Sequence, residues 1–132
     1  MHTYVLMLHT DPDDQLITET ALADTNTMIP VKYIQDPLEL DSRTMEWGRP
    51  ALILLNDAGA FYHGTELLKQ LKSNPRYADI PLVVLGEISS PDYVRECYRA
   101  GANSFITKPS TILATRKKIE TFFRYWFEVA EV

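Results

Sequence analysis

Residues 51–55 read Ala51-Leu52-Ile53-Leu54-Leu55, an unbroken apolar run that is too short for a typical helix. A run of this length predicts a β-strand covered on both faces, as strands are in a parallel sheet. Similar runs lie earlier and later in the chain, within Thr3–His9 and within Ile80–Leu85. We therefore predict three inner strands at these places, with Asn56–His63 forming a loop after the middle one.

Two shorter runs, Val31–Ile34 and Ser104–Thr107, mix apolar and polar residues, which is typical of edge strands. A helical stretch follows each of the five runs, and capping residues, glycine or proline mark most of their ends. The predicted helices run from Asp11 to about Asp24, from Asp36 to Trp47, from Thr65 onward, from Ser90 to Ala100 and from Ser110 to about Glu131. This alternation predicts an α/β fold of the flavodoxin-like type, with a five-stranded, parallel, doubly wound sheet in a three-layer sandwich. We expect one domain over residues 1–132.

The composition is that of an ordinary globular domain. Of the 132 residues, 45% are hydrophobic and 23% are charged, and the formal net charge is −5. No apolar run reaches the roughly 20 residues of a membrane span, and the N-terminus lacks a secretory signal, so we expect a cytoplasmic protein with no membrane partner. The densest basic segment is Arg116-Lys117-Lys118. Three residues are too few to form the basic stripe that binds a nucleic-acid phosphate backbone, so we expect no nucleic-acid partner.

Ligands of a doubly wound sheet collect at the carboxyl ends of its strands. At these ends the sequence resembles the response-regulator receiver family, most clearly in Tyr98-Arg99-Ala100-Gly101-Ala102-Asn103-Ser104-Phe105-Ile106-Thr107-Lys108-Pro109. The resemblance covers almost the whole chain. It implies a role in two-component signalling, in which a sensor histidine kinase passes a phosphoryl group to an aspartate after the third strand. In that family two further acids help to hold Mg²⁺, and a hydroxyl and a lysine contact the phosphoryl group.

Most of these functional positions differ from the family pattern. Asn56 stands at the acceptor position, and an uncharged amide is a poor nucleophile that forms no stable acyl phosphate. His9 and Thr10 stand at the positions of the acidic pair, and neither is an anionic oxygen ligand for Mg²⁺. Gly86 stands at the hydroxyl position. Three positions keep a residue typical of the family. They are Lys108, the following Pro109, and Phe105 at the position where the family often has an aromatic residue that changes conformation on activation.

These replacements predict a pseudo-receiver that is not phosphorylated, has no catalytic residue and is not an enzyme, and holds no metal or other cofactor. Two alternatives stay open. Asp57 could replace Asn56 as the acceptor if a β-bulge re-aimed it. The strand ends could also form an anion-sensing or small-molecule site, with Lys108 as the anion-binding residue.

The last helix carries an apolar stripe at helical spacing, formed by Ile119, Phe122, Phe123, Trp126 and Phe127. From Ser110 to Glu131 it would measure roughly 33 Å, longer than the roughly 20 Å of a six-residue strand. Its last turns would then need cover from another surface. An aromatic last helix also resembles that of single-domain regulators that partner phytochrome-type kinases. We therefore predict partners from two-component signalling, such as a sensor histidine kinase, and a homodimer whose interface includes Tyr93, Phe123, Trp126 and Phe127.

Overall fold

The computed structural model describes residues 4–8, 15–16, 18–20, 30–57, 64–86, 90–107 and 111–126. Within these residues the chain forms a five-stranded parallel sheet with the strand order β2-β1-β3-β4-β5. The strands are β1 (Val5–Leu8), β2 (Val31–Ile34), β3 (Leu52–Asp57), β4 (Leu82–Gly86) and β5 (Ser104–Thr107). The doubly wound sheet predicted from the sequence is therefore confirmed, with the three apolar runs in its centre.

Helices cover both faces of the sheet. The helices are a 3₁₀ turn (Pro37–Glu39), α1 (Leu40–Trp47), α2 (Gly64–Ser73), α3 (Pro91–Ala100) and α4 (Ile112–Arg124), and residues 15–16 and 18–20 are also helical. Side chains of α1, α2 and α3 form one buried cluster with one face of the sheet. Side chains of α4 form a second cluster with the opposite face.

Strand β1 shows how the sequence divides between the two clusters. Leu6 and Leu8 join the cluster beneath α1, α2 and α3, whereas Val5 and Met7 join the cluster beneath α4. Alternate residues of a strand point to opposite faces, so a strand buried on both faces must be apolar throughout. All four residues are 0% exposed, which explains why the run contains no polar residue.

Several predicted boundaries shift by one or two residues. Strand β3 continues through Asn56 and Asp57, which the sequence placed in a loop. Pairing of these residues with Leu85 and Gly86 extends the strand, because the ladder hydrogen bonds outweigh the low strand preference of Asn and Asp. The cap of the last helix is Thr111 rather than Ser110, since the Thr111 hydroxyl accepts a hydrogen bond from the Ala114 N–H at 3.2 Å.

Lys72 joins α2 to the two turns that enter β4 and β5. Its ammonium donates to the carbonyl oxygens of Ala78 and Ile80 at 3.3 and 3.1 Å and to Asn103 Oδ1 at 2.9 Å. Asn103 Oδ1 also accepts the Leu82 N–H at 2.9 Å, at the start of β4. Partial burial lowers the pKa of Lys72, and the three acceptors satisfy its donors.

We expect Lys72→Met to lower the free energy of unfolding by about 1–2 kcal/mol, because the three acceptors lose a shared donor. Lys69→Met, on the exposed side of the same helix, is the matched control and should stay within about 0.5 kcal/mol of the native value. Urea denaturation followed by circular dichroism measures both. Equal stabilities of the two variants would contradict the assigned role of Lys72.

Tyr4, which is buried, and Tyr33, which is half-buried, differ in how their hydroxyls are placed. Tyr4 donates to the Gly48 carbonyl oxygen at 2.6 Å. The Tyr33 hydroxyl oxygen is buried, and it finds no hydrogen-bond partner within the described parts of the chain. Burial raises the pKa of Tyr4 and of Tyr33 to about 12. Folding therefore favours the neutral phenol in both residues, and this contribution is complete below pH 10 and is lost as the pH rises toward 12.

The same substitution should thus have different effects at the two tyrosines. Tyr4→Phe removes a satisfied hydrogen bond and should cost about 1 kcal/mol, whereas Tyr33→Phe should be neutral or slightly stabilising. Between pH 10 and 12, Tyr33→Phe should also lose less of its free energy of unfolding than the native chain does, because the variant lacks the Tyr33 phenol that ionises in this range. Chemical denaturation at pH 8 and pH 11 tests both statements. An equal loss in the two variants at pH 8 would refute the first, and an equal fall in stability of the native chain and of Tyr33→Phe from pH 8 to pH 11 would refute the second.

Candidate functional site

The strand register gathers several predicted site residues at one edge of the sheet. Asn56 pairs with Leu85, Asp57 pairs with Gly86, and Gly86 pairs with Thr107. The carboxyl ends of β3, β4 and β5 therefore lie side by side, as the sequence predicted for a ligand-binding edge. Four other predicted site residues lie outside the described residues, namely His9, Thr10, Lys108 and Pro109.

Asn56 is a buried polar residue in the last part of β3. Its side chain is 2% exposed, and its position alternates with Leu52 and Leu54, which belong to the cluster beneath α4. A carboxamide carries no charge, so it can be buried here at a much lower desolvation cost than an ionised carboxylate. For the same reason it lacks the negative oxygen that attacks phosphorus.

The alternative that Asp57 replaces Asn56 depended on a bulge in β3. The pairing of β3 with β4 runs without an inserted residue from Ile53 and Leu82 to Asp57 and Gly86. A β-bulge places two residues of one strand opposite one residue of its partner. The backbone of β3 therefore provides no such irregularity up to Asp57.

Phe105 lies against Gly86. An ideal Cβ built on Gly86 would be 2.6 Å from Phe105 Cζ and 3.3 and 3.4 Å from the two Cε atoms of that ring. The ring also contacts Tyr93 of α3 edge to face, with centroids 6.1 Å apart and an angle of 88° between the planes. The space that a side chain would take at the hydroxyl position is thus filled by an aromatic ring.

Side chains of the flanking helices bind the outer edge of β5. The Phe105 N–H donates to the Tyr98 hydroxyl at 3.2 Å, and Lys118 Nζ donates to the Thr107 carbonyl oxygen at 2.7 Å. Neither contact follows from apolar periodicity, because both residues read as exposed helix positions in the sequence.

The residue types at the three predicted metal positions differ from the carboxylates that the receiver resemblance implies. Hard divalent cations prefer carboxylate oxygens, whereas the corresponding positions here are Asn56, His9 and Thr10. Within the described residues, no three His, Cys, Asp or Glu side chains come together in a way that could hold a metal ion.

The last helix differs in part from its predicted role. Phe123 is 0% exposed and belongs to the core, so its prediction as an interface residue is wrong. Trp126 is half-buried against Phe122, with ring centroids 6.1 Å apart. The α-helix ends at Arg124, and Phe127 lies outside the described residues.

An open groove of about 610 Å³ runs beside α4 and the edge strand β5. Its lining is mainly apolar with two lysines, and consists of Ile106, Ala114, Lys117, Lys118, Thr121, Phe122 and Tyr125. Tyr125 is 53% exposed and was missed by the sequence prediction, because it lies one position away from the apolar stripe. Its spacing of four and eight residues from Thr121 and Lys117 places it on the outer face of the helix.

Several curated proteins similar to this chain are named response regulators. Rcp1 of Synechocystis is 32% identical over 80 residues, which is 61% of this chain and 54% of Rcp1. The chemotaxis protein CheY of Pseudomonas aeruginosa is 25% identical over 107 residues, covering 80% of this chain and 76% of CheY. The probable methanogenesis regulatory protein FilR2 of Methanothrix harundinacea is 32% identical over 77 residues, 58% of this chain and 50% of FilR2. The chain spans about half the length of the first curated relatives it matches. No family model matches it.

Solved receiver structures superpose on nearly the whole chain. The phosphorylated cyanobacterial phytochrome response regulator RcpA has a TM-score of 0.86 at 25% identity and covers 99% of this chain and 98% of its own. The Mn²⁺-bound form of Rcp1 has a TM-score of 0.79 at 26% identity, with 98% of each chain covered. The fold is that of response-regulator receiver domains, and in sequence the chain is similar to response regulators. Among these proteins it is similar to the cyanobacterial phytochrome response regulator RcpA and to the response regulator Rcp1.

Among the described residues, no helix is both long enough and apolar enough to span a membrane.

Proposed function

We propose that this chain is a receiver domain that takes part in two-component signalling through protein contacts and is not itself phosphorylated. The observation that carries the proposal is Asn56, a carboxamide that is 2% exposed near the carboxyl end of β3. Two solved relatives are described as phosphorylated and as Mn²⁺-bound, respectively. At the position where the family has its acceptor carboxylate, this chain has an uncharged group that provides neither a nucleophile nor a negative metal ligand.

A second observation supports the same proposal. Gly86 offers no hydroxyl to a phosphoryl group, and the ring of Phe105 takes up the adjoining space. A phosphoryl group carries several oxygen atoms that need hydrogen-bond donors or cations. An apolar ring at this place provides neither, so the end of β4 is better suited to packing than to anion binding.

Incubation with acetyl phosphate and Mg²⁺, followed by intact-mass measurement, tests the absence of phosphorylation. We expect no phosphoryl adduct on the native chain, while a phosphorylatable receiver treated in parallel gains one. Asn56→Asp is the matched variant, because labelling of this variant alone would assign the block to the carboxamide. A phosphoryl adduct on the native chain, at Asp57 or elsewhere, would refute the proposal.

The proposed partners are a sensor histidine kinase or another two-component protein, and a second copy of this chain. The groove beside α4 supports the second copy, because it combines an apolar floor at Ile106 and Phe122 with the exposed ring of Tyr125. Leu113 is a further exposed apolar residue of the same helix, at 74%. The expected homodimer would thus use the outer face of α4 rather than Phe123. A cytoplasmic location stays a prediction.

We expect Tyr125→Asp to raise the dimer dissociation constant at least tenfold, because it places a charge in an apolar contact, a loss of about 1.4 kcal/mol. Leu38→Asp is the matched control, since Leu38 is 90% exposed on the 3₁₀ turn, away from the groove. Size-exclusion chromatography with light scattering over a range of concentrations measures both. A native chain that is monomeric at the highest concentration, or equal effects of the two variants, would contradict the dimer.

A further inference from the structure

The position of the Phe105 ring depends on the missing side chain of Gly86. Real Cβ atoms do not approach other heavy atoms to 2.6 Å, the distance at which a Cβ on Gly86 would meet Phe105 Cζ. Any other residue at position 86 would therefore displace either the backbone or the ring. The ring end is the more easily moved of the two, because it turns about side-chain torsions and lies on an edge strand.

Three contacts hold the ring and its backbone in this place. Phe105 is half-buried against the apolar cluster that lies between the sheet and helices α1, α2 and α3. Tyr93 packs edge to face against the ring. The Tyr98 hydroxyl accepts the Phe105 N–H at 3.2 Å and so ties the strand to α3. Phenylalanine has no polar end that would favour contact with water, so packing the ring here leaves no polar group unsatisfied.

We infer that Gly86, Tyr93 and Phe105 form a closed aromatic socket that holds the surface of α3 and β5 in one conformation without a phosphoryl signal. The inference rests on the proposed function, because it concerns how the same strand-end site is regulated. The socket depends on Gly86. Glycine leaves space for the ring, whereas the methyl group of alanine would overlap with it and displace it. A partner protein therefore meets a constant surface, on which Tyr98 is 47% exposed and fixed to the strand by its hydroxyl.

A double-mutant cycle tests whether the ring occupies the space at Gly86. Gly86→Ala in the native background should lower the folding equilibrium constant about tenfold, as overpacking of a filled site does. In a Phe105→Leu background the ring end is absent, so Gly86→Ala should change the constant less than about twofold. Such non-additivity is the mark of two residues in direct contact. An equal loss in both backgrounds would overturn the socket.

Nuclear magnetic resonance tests whether the socket stays closed. The native protein should show an Overhauser contact between the Phe105 ring and the Gly86 α protons, unchanged in intensity after acetyl phosphate and Mg²⁺ are added. In Gly86→Ala the ring signals should shift, and the corresponding contact to the backbone of residue 86 should be lost. Loss of the native contact on adding the phosphodonor, or its absence beforehand, would overturn the inference.

The two readouts separate this inference from the proposed function. A phosphoryl adduct with an unchanged ring contact would refute the absence of phosphorylation and support the socket. A ring contact that disappears while the mass stays unchanged would refute the socket alone. The stability cycle depends on neither partner nor phosphodonor, so it decides the packing by itself.

Discussion

Strands β1, β3 and β4 pair in parallel and are covered by helices on both faces, so their central side chains are removed from water. Burial of this kind contributes on the order of 25 cal/mol for each Å² of apolar area. It also determines the strand register, because a shift of one residue would turn every side chain to the opposite face. The fixed register in turn brings the ends of β3, β4 and β5 together, and the site at Asn56 and Gly86 depends on it.

The inner strands were predictable because a strand buried on both faces leaves an unbroken apolar run in the sequence. The caps of α3 were predictable for a similar local reason: the Ser90 side chain accepts the Tyr93 N–H, and Gly101 has a φ of 116° that favours glycine. Errors arose where tertiary contacts decide the outcome. Pairing with β4 extends β3 through Asn56, and Phe123 is covered by the sheet although its stripe also permits an exposed position.

The candidate site was predictable as a set of residue types but not as a set of contacts. From sequence alone, Gly86 indicates only that a hydroxyl is missing. In the structure the same glycine leaves space for the ring of Phe105, whose own position comes from β5, 19 residues later in the chain. The contact depends on the β4–β5 register and on the direction of one side chain, and neither can be read from local patterns.

The replacements at the strand ends are physically consistent with one another. Three carboxylates in one pocket repel each other, and in the receiver family a bound cation offsets this repulsion. With Asn56 at the predicted acceptor position, and His9 and Thr10 at the predicted acidic pair, the proposed site carries none of these three charges, so it would not need a cation to offset them. The end of the sheet can then be packed like the core, with a buried amide in β3 and a ring against Gly86. A carboxylate restored at position 56 alone would place a charge at a site that is 2% exposed, and an unpaired buried charge costs free energy.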